Sequence, residues 1–550
     1  MVKNIVKKGL QALTQKQSNI FTAAFFIVAT TIFGQILGFL KYRLLLAIFG
    51  ASSDLGVFLA AFRVPDFLFQ IFIAGALSTS FIPLFSDFIS QNKKAEADKF
   101  TSAILTYGVT IFAIISFFVI IFAYPLSKVV APGFSESELR LMSDLMIIIQ
   151  LSQVFFVTGT VFSGMLQSYQ HFLIPGIASA LYNLGIIIGL TLLSGVFHMG
   201  VYGATLGVVV GAFFFFVVQL PMLRGTGFHF RPTFHRDEAV QKIVKLMIPR
   251  SLTILIVQIS ITANVFFASF TTSRGLVVLE LAQTLMLAPV ILFGQSIAQA
   301  SFPTLSLKAK NPDEFVSIFV SSLNQIMYLT LPISALLIVL RIPVVRLFFG
   351  TAKFDWDATV STGLTLALLG ISIAAQSAIY LCARAFFALK DSQTPFFITL
   401  FSVLINITLS YYFILYLKFP VYYLGVSFSI GNIISFLLLL ITLNAKVMLP
   451  KLEIAITSMK ILTATLVMGV ALYIPIKLLD QLVFDTTRTI NLLILTGIAS
   501  GTGIIAYIFF TWLLDIKEAY YIIAIAKQFK NRNKIIRQIG ELLDGSKLNP

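Results

Sequence analysis

Apolar residues along this chain gather into fourteen blocks separated by short polar breaks. About 20 mostly apolar residues cross the ~30 Å of hydrocarbon in a bilayer. Each block is at least that long: 20–48, 56–85, 100–124, 141–166, 173–195, 200–222, 246–270, 276–305, 315–340, 359–388, 396–417, 421–444, 456–476 and 490–513. The pattern predicts an all-α polytopic membrane protein with fourteen transmembrane helices. An even number places both ends of the chain on the same side of the bilayer.

The polar interruptions are as informative as the blocks. Lys41, Arg43, Arg63 and Asp66 fall inside the first two spans, which are joined at Gly50-Ala-Ser-Ser-Asp54. A charge deep in a membrane helix costs roughly 2.5–3.5 kcal/mol on insertion scales, so it is kept where it meets water, a partner or a ligand. Arg63 and Asp66 are three apart, share a helix face and are spaced for an ion pair. Lys41 and Arg43 stand seven to nine residues before Gly50, roughly 10–13 Å at 1.5 Å per residue. That is the limit of reach for a cation snorkelling to the interface. Lys41 and Arg63 therefore read as lining a polar chamber, and Arg43 as the cation most able to point elsewhere. Glu280, near the outer end of the eighth span, is a candidate partner for a chamber cation. Arg250 opens the seventh span, and Arg384 reads as an interfacial anchor.

Composition supports the membrane reading. Hydrophobic residues make up 58% and charged residues 11%, against about 45–50% and 25% in soluble domains. So few polar residues would not cover a soluble surface, whereas lipid needs no such cover. The net charge of +16 would suit nucleic acid, but its distribution points to a membrane surface instead. Loops and tails on the side of the N-terminus hold 24 Lys and Arg, and those on the other side hold 9. By the positive-inside rule both termini are expected to be cytoplasmic. The basic loop 223–245, with Arg224, His229, Arg231, His235 and Arg236, reads as a cytoplasmic connector near anionic head groups. Residues 1–19 carry four lysines but no short apolar stretch with a cleavage site, so no signal peptide is expected. The single cysteine, Cys382, excludes an intrachain disulfide or a cysteine metal cluster.

An internal repeat is visible. Pro83-Leu-Phe-Ser86 ends the second span and Pro303-Thr-Leu-Ser306 ends the eighth, 220 residues later. Pro175 and Pro395 open the fifth and eleventh spans at the same offset, and Pro125-Leu-Ser-Lys128 echoes Pro343-Val-Val-Arg346. The expected organisation is a cytoplasmic tail (1–19), a six-helix lobe (20–222), the basic linker (223–245) and a second six-helix lobe (246–444). The thirteenth and fourteenth spans (445–513) follow, then an amphipathic basic tail (514–550). Parallel halves facing each other across a cavity are a transporter architecture.

No enzyme motif is present. There are four histidines and no HExxH, phosphate-binding loop or glycine-rich dinucleotide loop. Asp355-Trp-Asp357 spells a sugar-nucleotide signature but sits in a short outer loop, away from nucleotide sugars. No cofactor is expected, so energy would come from a sodium or proton gradient, the membrane potential or the substrate's own gradient. Gly200, Gly203, Gly207 and Gly211 in the sixth span have the spacing that lets helices pack closely in lipid. Cations beside an apolar path suit an amphiphile carrying phosphate. From the residues alone this is a pseudosymmetric transporter for an anionic, lipid-like substrate. A flippase for any polyprenyl-linked glycan, an exporter of a soluble amphiphile and a non-transporting scaffold in envelope synthesis all remain open.

Several motifs resemble one family. Gly38-Phe39, Phe49-Gly50-Ala51, Ala61-Phe62-Arg63-Val64-Pro65 and Ala74-Gly75-Ala76-Leu77-Ser78 are similar to the MurJ (MviN) lipid II flippases, as are Ala131-Pro-Gly-Phe134, Phe302-Pro-Thr-Leu-Ser306 and Arg384-Ala-Phe-Phe-Ala388…Asp391…Thr394-Pro395. Asn183 and Asn406 fall at family-like positions. The resemblance covers about residues 18–515. It implies the multidrug/oligosaccharidyl-lipid/polysaccharide exporter fold, with two six-helix lobes, a lipid-tail groove at the last two helices and alternating access. It also implies an undecaprenyl-pyrophosphate-linked peptidoglycan precursor as substrate, a bacterial inner-membrane location, and membrane lipids and cell-wall synthesis proteins as partners. Where the family carries arginines this chain has Gln35, Lys41, Phe69, Gln70 and Thr284, and Tyr42 and Ser410 replace acids. Lysine holds phosphate as a point charge, without arginine's bidentate fork. The expected substrate-binding set is Lys41, Arg63, Asp66, Glu280, Gln35, Arg43, Gln70 and Arg250, with Asn406 as a sodium-site candidate.

Overall fold

The computed structural model describes residues 20–71, 81–234, 238–482 and 489–520 of the chain. The tail 1–19, the Ala74–Ser78 motif, His235 and Arg236 of the linker, and the amphipathic tail beyond Tyr520 lie outside them. The described residues form helices and connecting turns, without strands. Eleven of the helices are long and apolar enough to cross a membrane, or twelve if one bent pair counts as a single span. Of the two other expected spans, the second contains the undescribed residues 72–80, and the seventh shows a shorter apolar stretch, Ile254–Ser269.

The chain divides into two compact units. The first comprises residues up to Val277 together with Phe349–Asp355. It holds α1 (Ile20–Phe49), α2 (Ser53–Ala61), α3 (Arg63–Phe69), α4 (Ile82–Ser90), α5 (Lys94–Ile121), α6 (Ala123–Val130), α7 (Glu136–Ser168), α8 (Leu173–Ile188), α9 (Gly200–Val217), α10 (Leu220–Gly225) and α11 (Glu238–Ser269). α11 packs on α3, α5 and α6, so the compact division falls at Val277, within α12 (Ser273–Pro289), and not at the basic linker. The second unit continues through α13 (Ser296–Leu307), α14 (Pro312–Val339), α15 (Arg341–Phe349), α16 (Trp356–Gly370), α17 (Ile373–Ala388), α18 (Gln393–Ser410), α19 (Tyr423–Val447), α20 (Lys451–Leu482) and α21 (Thr489–Leu513).

Proline explains where three helices break. Its ring clashes with the carbonyl four residues back and it donates no hydrogen bond. Pro65, Pro125 and Pro343 lie four residues beyond Ala61, Ile121 and Val339, where α2, α5 and α14 stop before the chain resumes as α3, α6 and α15. The 220-residue repeat thus includes one repeated kink, at Pro125 and Pro343. It extends to the backbone dihedrals. Gln170 and Lys390 have φ of 64° and 60°, His198 and Lys418 53° and 56°, and Gly227 and Met448 70° and 49°. Positive φ is uncommon outside glycine, so matched pairs at this offset mark equivalent helix ends. At the first pair the His171 N–H bonds to Leu166 O and the Asp391 N–H to Phe386 O, both at 2.9 Å. π-helical segments follow the same rule: Gly189–Val196 extends α8 and Tyr411–Tyr416 extends α18. The symmetry fails where continuous α7 corresponds to α16 and α17, bent by 43°, and where α2 and α3, broken ahead of Pro65, correspond to continuous α12.

Two straps complete the first unit. Residues 226–234 run along α5, whose Lys94, Ser102 and Thr106 recur at four-residue multiples on one face. Lys94 Nζ donates to Gly227 O at 3.2 Å, Ser102 Oγ and Thr106 Oγ1 accept from the N–H groups of Arg231 and Thr233 at 3.2 Å, and Tyr107 donates to Phe234 O. These hydroxyls satisfy backbone groups that no helix ladder serves. At the other end, Thr351 Oγ1 and Lys353 Nζ donate to Leu46 O and Ile48 O at 3.1 and 2.6 Å, capping the last carbonyls of α1. Gly50 permits this approach: its φ is +65°, and a Cβ there would lie 2.6 Å from Lys353 O. Asp355 of the Asp-Trp-Asp stretch pairs with Arg274, which gives that motif a structural role.

In the second unit, Asp391 holds the turn between α17 and α18. It accepts from the N–H groups of Gln393 and Thr394 at 3.0 Å and from Thr394 Oγ1 at 2.6 Å, and it pairs with Lys446 at 2.8 Å. Burial alone would raise its pKa, but the hydrogen bonds from Lys446 and Thr394 outweigh it and hold the carboxyl at about 2. The folded value lies below the ordinary 3.8, so this stabilisation is complete above that value and is lost as pH falls towards 2. Asp391→Asn is expected to destabilise the protein by about 1.5–3 kcal/mol at pH 7, the scale of hydrogen bonds to a charged group. It should also flatten the loss of thermal stability between pH 4 and 2, as read by unfolding in detergent.

Candidate functional site

In the first unit the candidate site is built on the contact between α1 and α8. Gly176 of α8 and a hydrogen bond from Asn183 set that contact. Gly34 and Gly38 lie one turn apart on α1, and the Asn183 side chain of α8 donates from Nδ2 to Gly34 O at 3.3 Å. A Cβ at Gly176 would lie 2.2 Å from Thr30 Oγ1. At about 100° per residue, Lys41 and Leu45 fall on the same stripe of α1 as Gly34 and Gly38, while Arg43 falls on the opposite side. Leu45 and Leu46 are buried, Lys41 and Tyr42 half-buried, and Arg43 exposed. Lys41 Nζ sits 4.7 Å from the centroid of the Tyr42 ring, over its face, a geometry that stabilises the cation. Tyr42 in turn meets Phe349 edge-on at 6.3 Å.

α3 supplies the second wall. The break that Pro65 imposes puts Arg63 at its first residue and Asp66 one turn on, both half-buried. Phe69 packs on Phe156 of α7, at 5.9 Å between centroids, and Phe156 packs on Tyr182 of α8 at 4.7 Å. Asp66 and Tyr42 both act electrostatically on the Tyr182 phenol. The fold thus gathers Tyr42 from α1, Asp66 from α3 and Tyr182 from α8. Lys41 and Arg63 stand beside them, the first next in sequence to Tyr42 and the second one turn from Asp66. Cations, a carboxylate and phenol donors together can bind a phosphate oxygen and the polar groups attached to it. Gln70 is half-buried where the chain enters a π-helical turn, 220 residues before Val290 opens another.

The remaining candidates lie elsewhere. Gln35 is exposed, as are its α1 neighbours Ile32, Phe33 and Ile36. The backbone of Arg250 belongs to α11, and its side chain lies outside the described residues. Glu280 is half-buried on α12 in the second unit, and the hydroxyl of Thr284 donates to its main-chain carbonyl at 2.9 Å. Asn406 is buried on α18, beside Gly431 of α19, and accepts from Ser410 Oγ at 3.4 Å. Among the described residues no group of three or more His, Cys, Asp or Glu is arranged to hold a metal ion. The sequence reading missed Tyr182. A single tyrosine in an apolar run carries no signal of its own, although its neighbour Asn183 does.

A profile of the lipid II flippase MurJ family matches residues 45–513 of the chain. A curated relative from Buchnera aphidicola subsp. Schizaphis graminum, named "Probable lipid II flippase MurJ", is 29% identical over 82% of this chain and 88% of its own length. One of the same name from Thermotoga maritima is 29% identical over 89% of this chain and 95% of its own. Among solved structures, a lipid II flippase MurJ in an inward closed conformation superposes with a TM-score of 0.75 at 24% identity, over 89% of this chain and 98% of its own. An inward-facing multidrug resistance MATE transporter of the MOP superfamily follows at 0.64 and 16%, over 75% and 94%.

Proposed function

Because the chain belongs to the lipid II flippase MurJ family, we propose that it carries lipid II from the inner to the outer leaflet of the bacterial inner membrane by alternating access. The family is one of transporters, not of catalysts. The observation that carries the reading is the match of the family profile across nearly all the membrane helices. In this reading Lys41 and Arg63 meet the pyrophosphate of the substrate, while Asp66 and Tyr182 position them and bind the attached sugar. The apolar face of the last two helices takes the polyprenyl tail. Both termini are cytoplasmic, in keeping with the 24 to 9 division of Lys and Arg between the two sides. Transport draws on a sodium or proton gradient or on the membrane potential. Lys41 makes the pyrophosphate contact as a point charge.

A second reading rests on the replaced arginines at Gln35, Phe69 and Thr284: the cargo is a different polyprenyl-linked glycan. Purified protein reconstituted into vesicles with lipid II, or with other undecaprenyl-linked sugars, separates the two. Lipid II is expected to become accessible to an outer-face probe at least 10-fold faster than in protein-free vesicles. Movement of another glycan without movement of lipid II would replace the first reading by the second.

A further inference from the structure

The second unit contains a cavity of about 980 Å³ that the transport reading does not use. It lies where the first turns of α14 and α20, the turn between α19 and α20, and residues 515–518 after α21 come together. Its chemistry is unbalanced. Asp313, Glu453 and Glu518 line it with carboxylates. Two of its lysines are turned to protein partners, Lys446 to Asp391 and Lys460 to the carbonyl of Leu514 at 2.9 Å. Asn324 of α14 also lines it, with only 9% of its surface exposed, and its Oδ1 accepts no hydrogen bond within the protein. A buried acceptor without a donor costs about 1–3 kcal/mol. Glu518 is buried to the same degree. With Asp515 the lining holds four carboxylates beside Lys446, Lys460 and Lys517, and Asn324 and Glu518 call for a ligand cation that can donate hydrogen bonds.

We propose that this cavity binds the primary ammonium of an aminophospholipid headgroup, with Asn324 and Glu518 accepting its N–H groups and Lys517 facing the headgroup phosphate. Position favours a lipid over a free amine. The cavity sits at the ends of four long apolar helices, the level at which headgroups lie. Met448, held at positive φ, stands 89% exposed on its rim, with Leu452 74% exposed beside it. Burial pushes the Glu518 carboxyl up, against the pull of a hydrogen bond from its own backbone and of Lys517. An ammonium in contact would relieve that penalty. A quaternary choline would not, because it has no N–H for Asn324.

The test is lipid retention by the purified full chain, read by native mass spectrometry after mixing with equal amounts of phosphatidylethanolamine, phosphatidylcholine and phosphatidylglycerol. Phosphatidylethanolamine is expected to be retained at least 10-fold over the other two. Asn324→Leu and the near-isosteric Glu518→Gln should each lower that retention at least 10-fold, with Lys99→Ala, far from the cavity in sequence and unit, leaving it unchanged. Equal retention of the three lipids, or wild-type retention by Glu518→Gln with its thermal unfolding unaltered, would overturn the proposal. Binding of soluble phosphoethanolamine as tightly as the lipid would overturn the lipid assignment and give the cavity to a free phosphoamine.

Discussion

Lys41→Ala is expected to slow lipid II transport about 10–100-fold while leaving the protein folded, and Arg63→Ala to do the same. The magnitude follows from removing a charge-assisted contact to phosphate, about 1.5–3 kcal/mol. Neither side chain is deeply buried, so truncation leaves no large void and the helices should keep their positions. Lys41→Arg is the informative companion. It restores the fork that matches phosphate bidentately, so transport should match or exceed wild type. Arg43→Ala is the contrast, because Arg43 lies on the opposite, exposed side of α1 and should cost less than 3-fold. The measurement is exposure of lipid II at the outer leaflet of reconstituted vesicles, with thermal unfolding recorded for each variant. Wild-type transport by both alanine variants would remove Lys41 and Arg63 from the site.

The second large effect concerns packing. Gly185→Ala is expected to lower the thermal unfolding midpoint by many degrees, and Gly185→Leu to abolish folded protein. A Cβ at Gly185 would lie 2.2 Å from Gly211 Cα and 2.3 Å from Gly211 N, and one at Gly189 would lie 2.4 Å from Gly207 Cα. These are backbone atoms, so relief requires α8 and α9 to separate along their length. Forcing extra groups into a packed contact usually costs about 1–3 kcal/mol when side chains can yield, and here they cannot. Separation would also disturb the site, because Gly211 lies against the carbonyl of Tyr182. Gly108→Ala is the control. Nothing lies within 4 Å of a Cβ there, and alanine favours a helix over glycine by about 1 kcal/mol. Loss of stability at Gly108 equal to that at Gly185 would show that close approach is not the cause.

Much of this architecture is legible in the chain because proline acts locally. Pro65, Pro125 and Pro343 each end a helix four residues upstream, so their spacing in sequence becomes the spacing of kinks in space. The glycines of the sixth span are legible for a similar reason, since their spacing already describes one face. What the sequence does not show is which faces meet. Most of these helices are apolar all round, because lipid and protein interior make the same demand of a side chain, and a stripe that marks the core in a soluble helix is missing. The assignment of α11 to the first unit, the gathering of Tyr182 with Asp66 and Tyr42, and the π-helical ends of α8 and α18 are matters of interhelical contact. They leave no period to read. Arg43 and Lys41, two residues apart and alike in sequence, are separated only by the turn of a helix whose inner face Gly34 and Gly38 define.

The strap along α5 changes the chain entropy of the connection it belongs to. Free, the stretch from Thr226 to the start of α11 would be a loop of about a dozen residues whose ends must be brought together. Held to Lys94, Ser102, Thr106 and Tyr107, it leaves residues 235–237 between the strap and α11. Each doubling of a flexible loop costs roughly 0.6 kcal/mol in closure, so once the strap is seated α11 joins α5 for about 1 kcal/mol less than a free loop would require. The hydroxyls of α5 thus act as a splint, converting a step that looks long-range in sequence into a nearly local one.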